Sequence, residues 1–188
     1  MMGAPIPREE EARLESLRQY KILDTEAEQI FDDITALIAS ICDTPIALLT
    51  FVDGDRQWIK SNVGLPVVQT TRNASFCAHA ICGETLFVVP DALVDERFAD
   101  NPLVLGDPNI RFYAGMPLIT PEGHALGALC VIDHSPRQLS NDQKTKIEAL
   151  AKSAMLLLEI RSGRRNSRTC MPAGSGLSAR EKPNQSRS

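Results

Sequence analysis

Ile110 to Asp133 reads IRFYAGMPLITPEGHALGALCVID, and the whole chain takes its architecture from this stretch. Ile110 to Ile119 has the β-branched and aromatic content of a strand, and Pro121-Glu122-Gly123 is a turn tip. Ala125 to Ile132, lined by Leu126, Leu129 and Val131, is the returning partner, with Gly127 at a place of close packing or a bulge. Two strands joined by so short a turn must be antiparallel. Neighbouring strand residues point to opposite faces, so Arg111 and Tyr113 share one face and Phe112 takes the other.

Working back from the hairpin, Leu86 to Val89 is a further strand, ended by Pro90-Asp91. Asp95 to Val104 is a short helical turn and loop. Phe76 to Cys82 is a short helix opened by Asn73 or Ser75 and stopped by Gly83. Ile46 to Val52 is a central strand, Asp53-Gly54 a turn, and Arg56 to Asn62 the return strand, with Trp58 as a sheet-face anchor. Val63 to Thr71 is loop. Ahead of them lie two helices. Glu9 to Tyr20 carries Leu14 and Leu17 on one face; the next is capped by Thr25, with Glu28 completing a capping box, and repeats Phe31, Ile34, Ile38 and Ile41. After the hairpin, Ser140 and Gln143 form the capping box of a last helix with the stripe Ile147, Leu150, Ala154 and Leu157. The order predicts an α+β domain, an antiparallel sheet of about five strands flanked by helices. The expected divisions are a loose N-terminus at 1–8, one domain at 9–161 and a disordered tail at 162–188.

The 188 residues suit one domain, and 43% hydrophobic content is enough for a core. The net charge of −4 hides an asymmetry, with 7 basic and 1 acidic residues from Arg161 onward against 13 basic and 23 acidic before it. An acidic body disfavours nucleic acid, and the tail reads as a solubilising end. No apolar run approaches the roughly 20 residues of a membrane span, and MMGAPIPREEE is not a secretory signal. Five cysteines without C-x-x-C spacing read as reduced, mostly buried thiols of a cytoplasmic protein.

YKILDTEAEQIFDDIT, SFCAHAI, VVPDALVDERFADNPLV, the hairpin quoted above and LSNDQKTKIEALA together resemble the GAF domain family, small-molecule-sensing relatives of the PAS fold. The similarity runs from about Leu14 to Arg161 and is greatest to members that stand alone or precede diguanylate cyclases and histidine kinases. It implies a central antiparallel sheet of five to six strands, with the first and last helices on one side and a roof of loops and short helices over a ligand pocket on the other. Family members sense cyclic nucleotides, tetrapyrroles, haem, amino acids or other metabolites, or only dimerise.

Several sharper members of the family do not fit. Bilin-binding members attach chromophore through a Cys-His pair, whereas His79, His124 and His134 follow Ala78, Gly123 and Asp133. Arg97-Phe98-Ala99-Asp100 stands near the place of the cyclic-nucleotide pattern Asn-Lys-x-Phe-x-Asp-Glu, but without its Asn-Lys. Methionine-sulfoxide-reducing members use three loop-borne cysteines; here Cys77 and Cys82 are five apart in a helix and Cys130 lies in a strand. For zinc, Cys77, His79 and Cys82 do not converge, because residues two apart on a helix point about 200° away from each other. No catalytic residue, metal or cofactor is therefore assigned.

The candidate pocket residues are Phe76, Cys77, His79, Asp91, Asp95, Arg97, Phe98, Arg111, Phe112 and Tyr113, a mixture of aromatic, imidazole, guanidinium and carboxylate groups bracketing the strands. Arg111 and His79 are expected to face one cavity, with Arg111 fixing an anionic or carbonyl-bearing molecule. The alternative is that Asp91 and Asp95 pair with Arg97 and Arg111, leaving a closed dimerisation or scaffold module. The stripe on the last helix exceeds what one sheet face uses, so a homodimer through the terminal helices is expected. No cyclase or kinase fits within the chain as given, so any signal passes through a partner protein or subunit.

Overall fold

The computed structural model describes residues 3–163. The basic tail expected at 162–188 lies outside the described residues beyond Gly163. The elements follow as α1 (Glu10–Tyr20), α2 (Gln29–Cys42), β1 (Ile46–Val52), β2 (Arg56–Val63), β3 (Gln69–Thr71) and α3 (Phe76–Ala80). They continue with β4 (Phe87–Val89), α4 (Pro102–Leu105), β5 (Phe112–Ile119), β6 (Ala125–Asp133) and α5 (Asn141–Arg161). All six strands are antiparallel neighbours in the order β3-β2-β1-β6-β5-β4.

The β5–β6 hairpin sits where the sequence puts it, with Phe112 opposite Asp133 and Ile119 opposite Ala125. Its β6 strand then pairs with β1, which joins the two hairpins into one sheet. Gly127 is required at that join, since a Cβ there would collide with the Thr50 carbonyl of β1. The short β3 was expected as loop. It is an edge strand without an alternating apolar pattern, held by pairing of Arg56, Gln57 and Trp58 with Thr71, Thr70 and Gln69 and by a hydrogen bond from Arg56 to the Gln69 side chain.

The sheet has two faces with two cores. On one, Leu49, Phe51, Trp58, Phe112, Leu129 and Val131 pack against Leu17 and Tyr20 of α1, Phe31, Ile34 and Ile38 of α2, and Ile147, Ala151, Ala154 and Leu158 of α5. On the other, Leu48, Val52, Ile59, Tyr113, Cys130 and Ile132 pack against Phe76, Cys77 and Ala80 of α3, against Val104 of α4 and against Phe98 from the loop before it. Alternation along β1 and β6 sorts adjacent residues between the two cores.

Two local expectations are corrected. Thr25 does not cap α2: its hydroxyl donates to the Ile22 carbonyl, and the helix starts after Glu28. Glu28 instead binds Lys60 Nζ at 2.7 Å and Arg161 Nε at 2.7 Å. Lys60, its side chain wholly buried, also reaches the Thr25 hydroxyl and the Glu26 carbonyl, so the loop before α2 is pinned to β2 and to the end of α5 by charge rather than by a cap. The stripe on α5 is not surplus either. Ile147 and Ala154 are sealed against the sheet and Leu150 and Leu157 pack on its rim; the apolar residues α5 exposes are Leu156 and Ile160. The Ser140–Gln143 capping box is formed as expected.

Candidate ligand cavity and buried dithiol

The second core is incompletely filled. A cavity of about 100 Å³ lies between β1, β2, β5 and β6 on one side and α3, α4 and the β2–β3 loop on the other. Leu48, Ile59, Ile110 and Ile132 supply its sheet-side wall, and Leu65, Val67, Leu103 and Pro108 its rim. Its polar content is small: Gln57, Thr70, Ser75, Cys77, Asp107 and Tyr113. Ser75 caps α3, accepting from the Ala78 amide at 3.1 Å, and donates its own proton to Gln57 Oε1. The Thr70 hydroxyl is buried and meets no hydrogen-bond partner among the described residues.

Of the residues singled out from sequence, Phe76, Cys77 and Tyr113 line this cavity. Phe98, His79 and Phe76 meet beside it. The Phe76 and Phe98 rings stack at 4.0 Å, Phe76 lies 5.2 Å from Tyr113, and His79 meets Phe98 edge-on at 4.7 Å. Asp95 and Arg97 hold each other bidentately at 2.8 and 2.6 Å, with the guanidinium 4.8 Å above the Phe87 ring. This partner holds the Asp95 carboxyl below the usual range, while burial and the Arg97 charge push the His79 pKa down. The other three lie elsewhere. Phe112 points into the helix-side core, Asp91 accepts from the Leu93 amide, and Arg111 donates to the Val104 and Ile110 carbonyls at 2.9 and 3.0 Å. Arg111 and His79 do not line the cavity.

The sequence reading missed a pair of thiols. Cys77 Sγ is 3.8 Å from Cys130 Sγ, and the Tyr113 hydroxyl donates to Cys77 Sγ at 3.2 Å. Tyr113 can lie across the sheet to do so because Gly115 follows it on the same face; a Cβ there would collide with the Tyr113 hydroxyl. Hydrogen bonding from the Cys130 thiol and from the Tyr113 hydroxyl holds the Cys77 pKa below its ordinary value against the opposing effect of burial. Hydrogen bonding to Cys77, then burial, push Cys130 well above. The signal was present in the alternation of β6, which puts Cys130 on the face opposite Leu129 and Val131 and directly across from Gly115. Among the described residues no group of three or more His, Cys, Asp or Glu side chains is placed to hold a metal ion, and no helix is long and apolar enough to cross a membrane.

A two-core antiparallel sheet with terminal helices on one face and a roofed cavity on the other is the architecture of a sensory domain class, and residues 26–158 match the family model of the GAF domain. The chain belongs to that family. It is 48% identical over 137 residues to a cyclic di-GMP phosphodiesterase of Pseudomonas aeruginosa, a match covering 73% of this chain but 23% of that protein. Among solved structures it resembles the GAF domain of an Acinetobacter phosphoenolpyruvate-protein phosphotransferase, with TM-score 0.62, 17% identity, and coverage of 83% of this chain and 98% of that one. It also resembles the chromophore-binding domain of a bacteriophytochrome from R. palustris, with TM-score 0.59, 11% identity, and coverage of 86% and 65%. These two structures are similar in fold alone.

Proposed function

We propose that this chain is a non-catalytic sensing module whose ligand is a small, mostly apolar molecule bearing one hydrogen-bonding group. The observation that carries this reading is the cavity: apolar walls, an unpaired Thr70 hydroxyl, and a volume of about 100 Å³. That is about three waters' worth of space and well under the roughly 300 Å³ at which pockets for drug-sized ligands begin. A cyclic dinucleotide is larger still, so the relative's name supports a setting in cyclic di-GMP signalling rather than a substrate bound here. The residues best suited to an anion, Arg97 and Arg111, lie outside the cavity lining, and Arg97 spends Nε and Nη2 on Asp95 while Arg111 spends Nη1 on two backbone carbonyls, which argues against an acidic ligand. Output then passes to a partner, which we take to be a second copy. α2 and α5 run antiparallel, joined at one end by Gln143 Nε2 to the Ile41 carbonyl and at the other by Arg161 to Glu28. They expose Ile30, Leu37, Leu156 and Ile160.

A thermal-shift screen of the full chain over short alcohols, ketones, amides and small heterocycles tests this. A hit should stabilise the wild type in proportion to the logarithm of its concentration and should be lost in Val67→Phe, which fills the cavity. Light scattering on the same samples should report a dimer that Leu156→Asp dissociates. No hit across the screen, with a dimer still present, replaces the sensing reading by a dimerisation module.

A further inference from the structure

We infer that Cys77 is a site of oxidation by small hydroperoxides reaching it through the roof cavity, with Cys130 as the resolving thiol that converts the product to an intramolecular disulfide. The inference goes beyond the sensing of a reversibly bound ligand and does not require one.

Three observations carry it. The first is the pairing: two thiols 53 residues apart in sequence, on α3 and β6, lie with their sulfurs 3.8 Å apart. Forming a disulfide bond of roughly 2.05 Å requires the two sulfurs to approach by about 1.8 Å. The second is access. Cys77 is 2% exposed to bulk solvent, yet it forms part of the cavity wall, and about 100 Å³ accommodates hydrogen peroxide or a short alkyl hydroperoxide. The third is the contrast with Cys42, which is as deeply buried but whose environment does the reverse. It has no thiol partner among the described residues, lies in the helix-side core, and burial pushes its pKa up to about 11. Cys77 instead accepts from the Tyr113 hydroxyl and has the Cys130 thiol beside it, and donors of this kind favour the thiolate that attacks an electrophile.

The chemistry balances with one hydroperoxide. Cys77 sulfur attacks the terminal peroxide oxygen and the O–O bond breaks. The departing alkoxide or hydroxide takes the thiol proton and leaves as alcohol or water, and Cys77 becomes a sulfenic acid. Cys130 sulfur then attacks Cys77 sulfur and the S–OH bond breaks. The hydroxide takes the Cys130 proton and leaves as water. The peroxide is reduced by two electrons and the dithiol is oxidised by two. The new bond staples the roof helix to a central strand and takes from Tyr113 the thiol acceptor it now has.

The test uses the full chain, reduced, with hydrogen peroxide and tert-butyl hydroperoxide as separate probes, acid quench, alkylation under denaturing conditions, and mass spectrometry. The expected product has lost two hydrogens, alkylates at three of its five cysteines, and yields a Cys77–Cys130 linked peptide. In Cys130→Ala a dimedone adduct should accumulate on Cys77. Exposed Cys82 serves as the internal reference. The inference is overturned if Cys77 and Cys130 still alkylate fully once Cys82 is oxidised, or if Cys130 is oxidised at the wild-type rate in Cys77→Ala. The route is tested by Val67→Phe, which should slow disulfide formation several-fold while Cys82 reacts as before. The wild type gives a check independent of any variant's folding: bulky cumene hydroperoxide should oxidise Cys77 more slowly than hydrogen peroxide, relative to Cys82. Equal relative rates would overturn the cavity route.

Discussion

The two faces of the sheet share strands yet are built on different terms. The helix side is covered by three helices whose apolar residues recur at helical spacing, and Phe31, Ile38, Ile147, Ala151 and Leu158 are almost fully buried in it. The roof side is covered by a five-residue helix, a four-residue helix and turns. Short pieces cannot interdigitate with a flat sheet as long helices do, so a cavity remains, and the aromatics Phe76, Phe98 and Tyr113 stack to close what they can. The first face holds the larger buried core and the second keeps the cavity. A protein of marginal net stability can leave one face loosely filled only if the other is well packed.

Leu48 and Leu49 give the most direct test of that contrast, because they are neighbours on β1 and face opposite ways. Leu49 is fully buried in the helix-side core, and Leu48 lines the cavity. Leu49→Ala should cost about 4–5 kcal/mol in urea denaturation, the upper part of the range for core leucines, and Leu48→Ala about 2–3 kcal/mol, because a side chain beside a void has fewer contacts to lose. Equal costs would mean that the roof is packed as tightly as the helix side.

That asymmetry also governs what was legible in the sequence. Elements with a period were read correctly: the β5–β6 hairpin from its alternation, α2 and α5 from their apolar spacing, and the α5 start from Ser140 and Gln143. β3 escaped because three edge residues carry no period. Thr25 and Glu28 have the spacing of a capping box but are claimed by Ile22 and Lys60, a tertiary competition that local pattern does not register. On the roof, the short helix was legible and its cap was narrowed to Asn73 or Ser75, of which the structure uses Ser75; the cavity was not legible, because its walls come from residues scattered between Leu48 and Ile132. Arg111 was singled out for its charge, but its Nη1 turns to the Val104 and Ile110 carbonyls outside the cavity lining, and backbone acceptors are invisible in a string of side chains.

Lys60 tests whether the helix side depends on one polar bolt. Its ammonium has three protein partners and lies 5.6 Å and 5.9 Å from the Phe31 and Trp58 ring centres. Lys60→Met keeps the apolar stem but unties the loop before α2. Glu28 is about a third exposed and keeps Arg161, so the loss falls below that of a fully buried pair, at about 2–3 kcal/mol. Hydrogen exchange should rise first in residues 21–28 and at the end of α5, and leave α3 unchanged. Acid provides a second reading of the same bolt. Lys60 and Arg161 hold the Glu28 carboxyl below its ordinary value of 4.5, outweighing the opposing effect of burial, so this stability is present above about pH 4.5 and lost as pH falls through the lowered value. The acid loss should be shallower in Lys60→Met.

The smallest effect belongs to the roof and concerns His79. Burial and, less strongly, the Arg97 charge lower its pKa from 6.5, with Asp95 opposing; Phe87 and Phe98 are its ring neighbours and supply no charge. A base whose folded pKa is depressed binds fewer protons in the native state than in the unfolded chain. Its contribution is therefore full above pH 6.5 and declines as pH falls toward the folded value, because the unfolded chain takes up the proton first. Glu10 and Glu28 titrate below about pH 4.5, so a window from about pH 6.5 to 5 is clear of them. Thermal midpoints of the wild type should slope downward across that window, and His79→Gln should flatten part of the slope while matching the wild type near neutrality. An unchanged slope in His79→Gln would mean that the imidazole is as well solvated as in the unfolded chain. The roof beside the cavity would then be open to water, and the distinction between a sealed face and a loosely closed one would become a distinction between a dry face and a wet one.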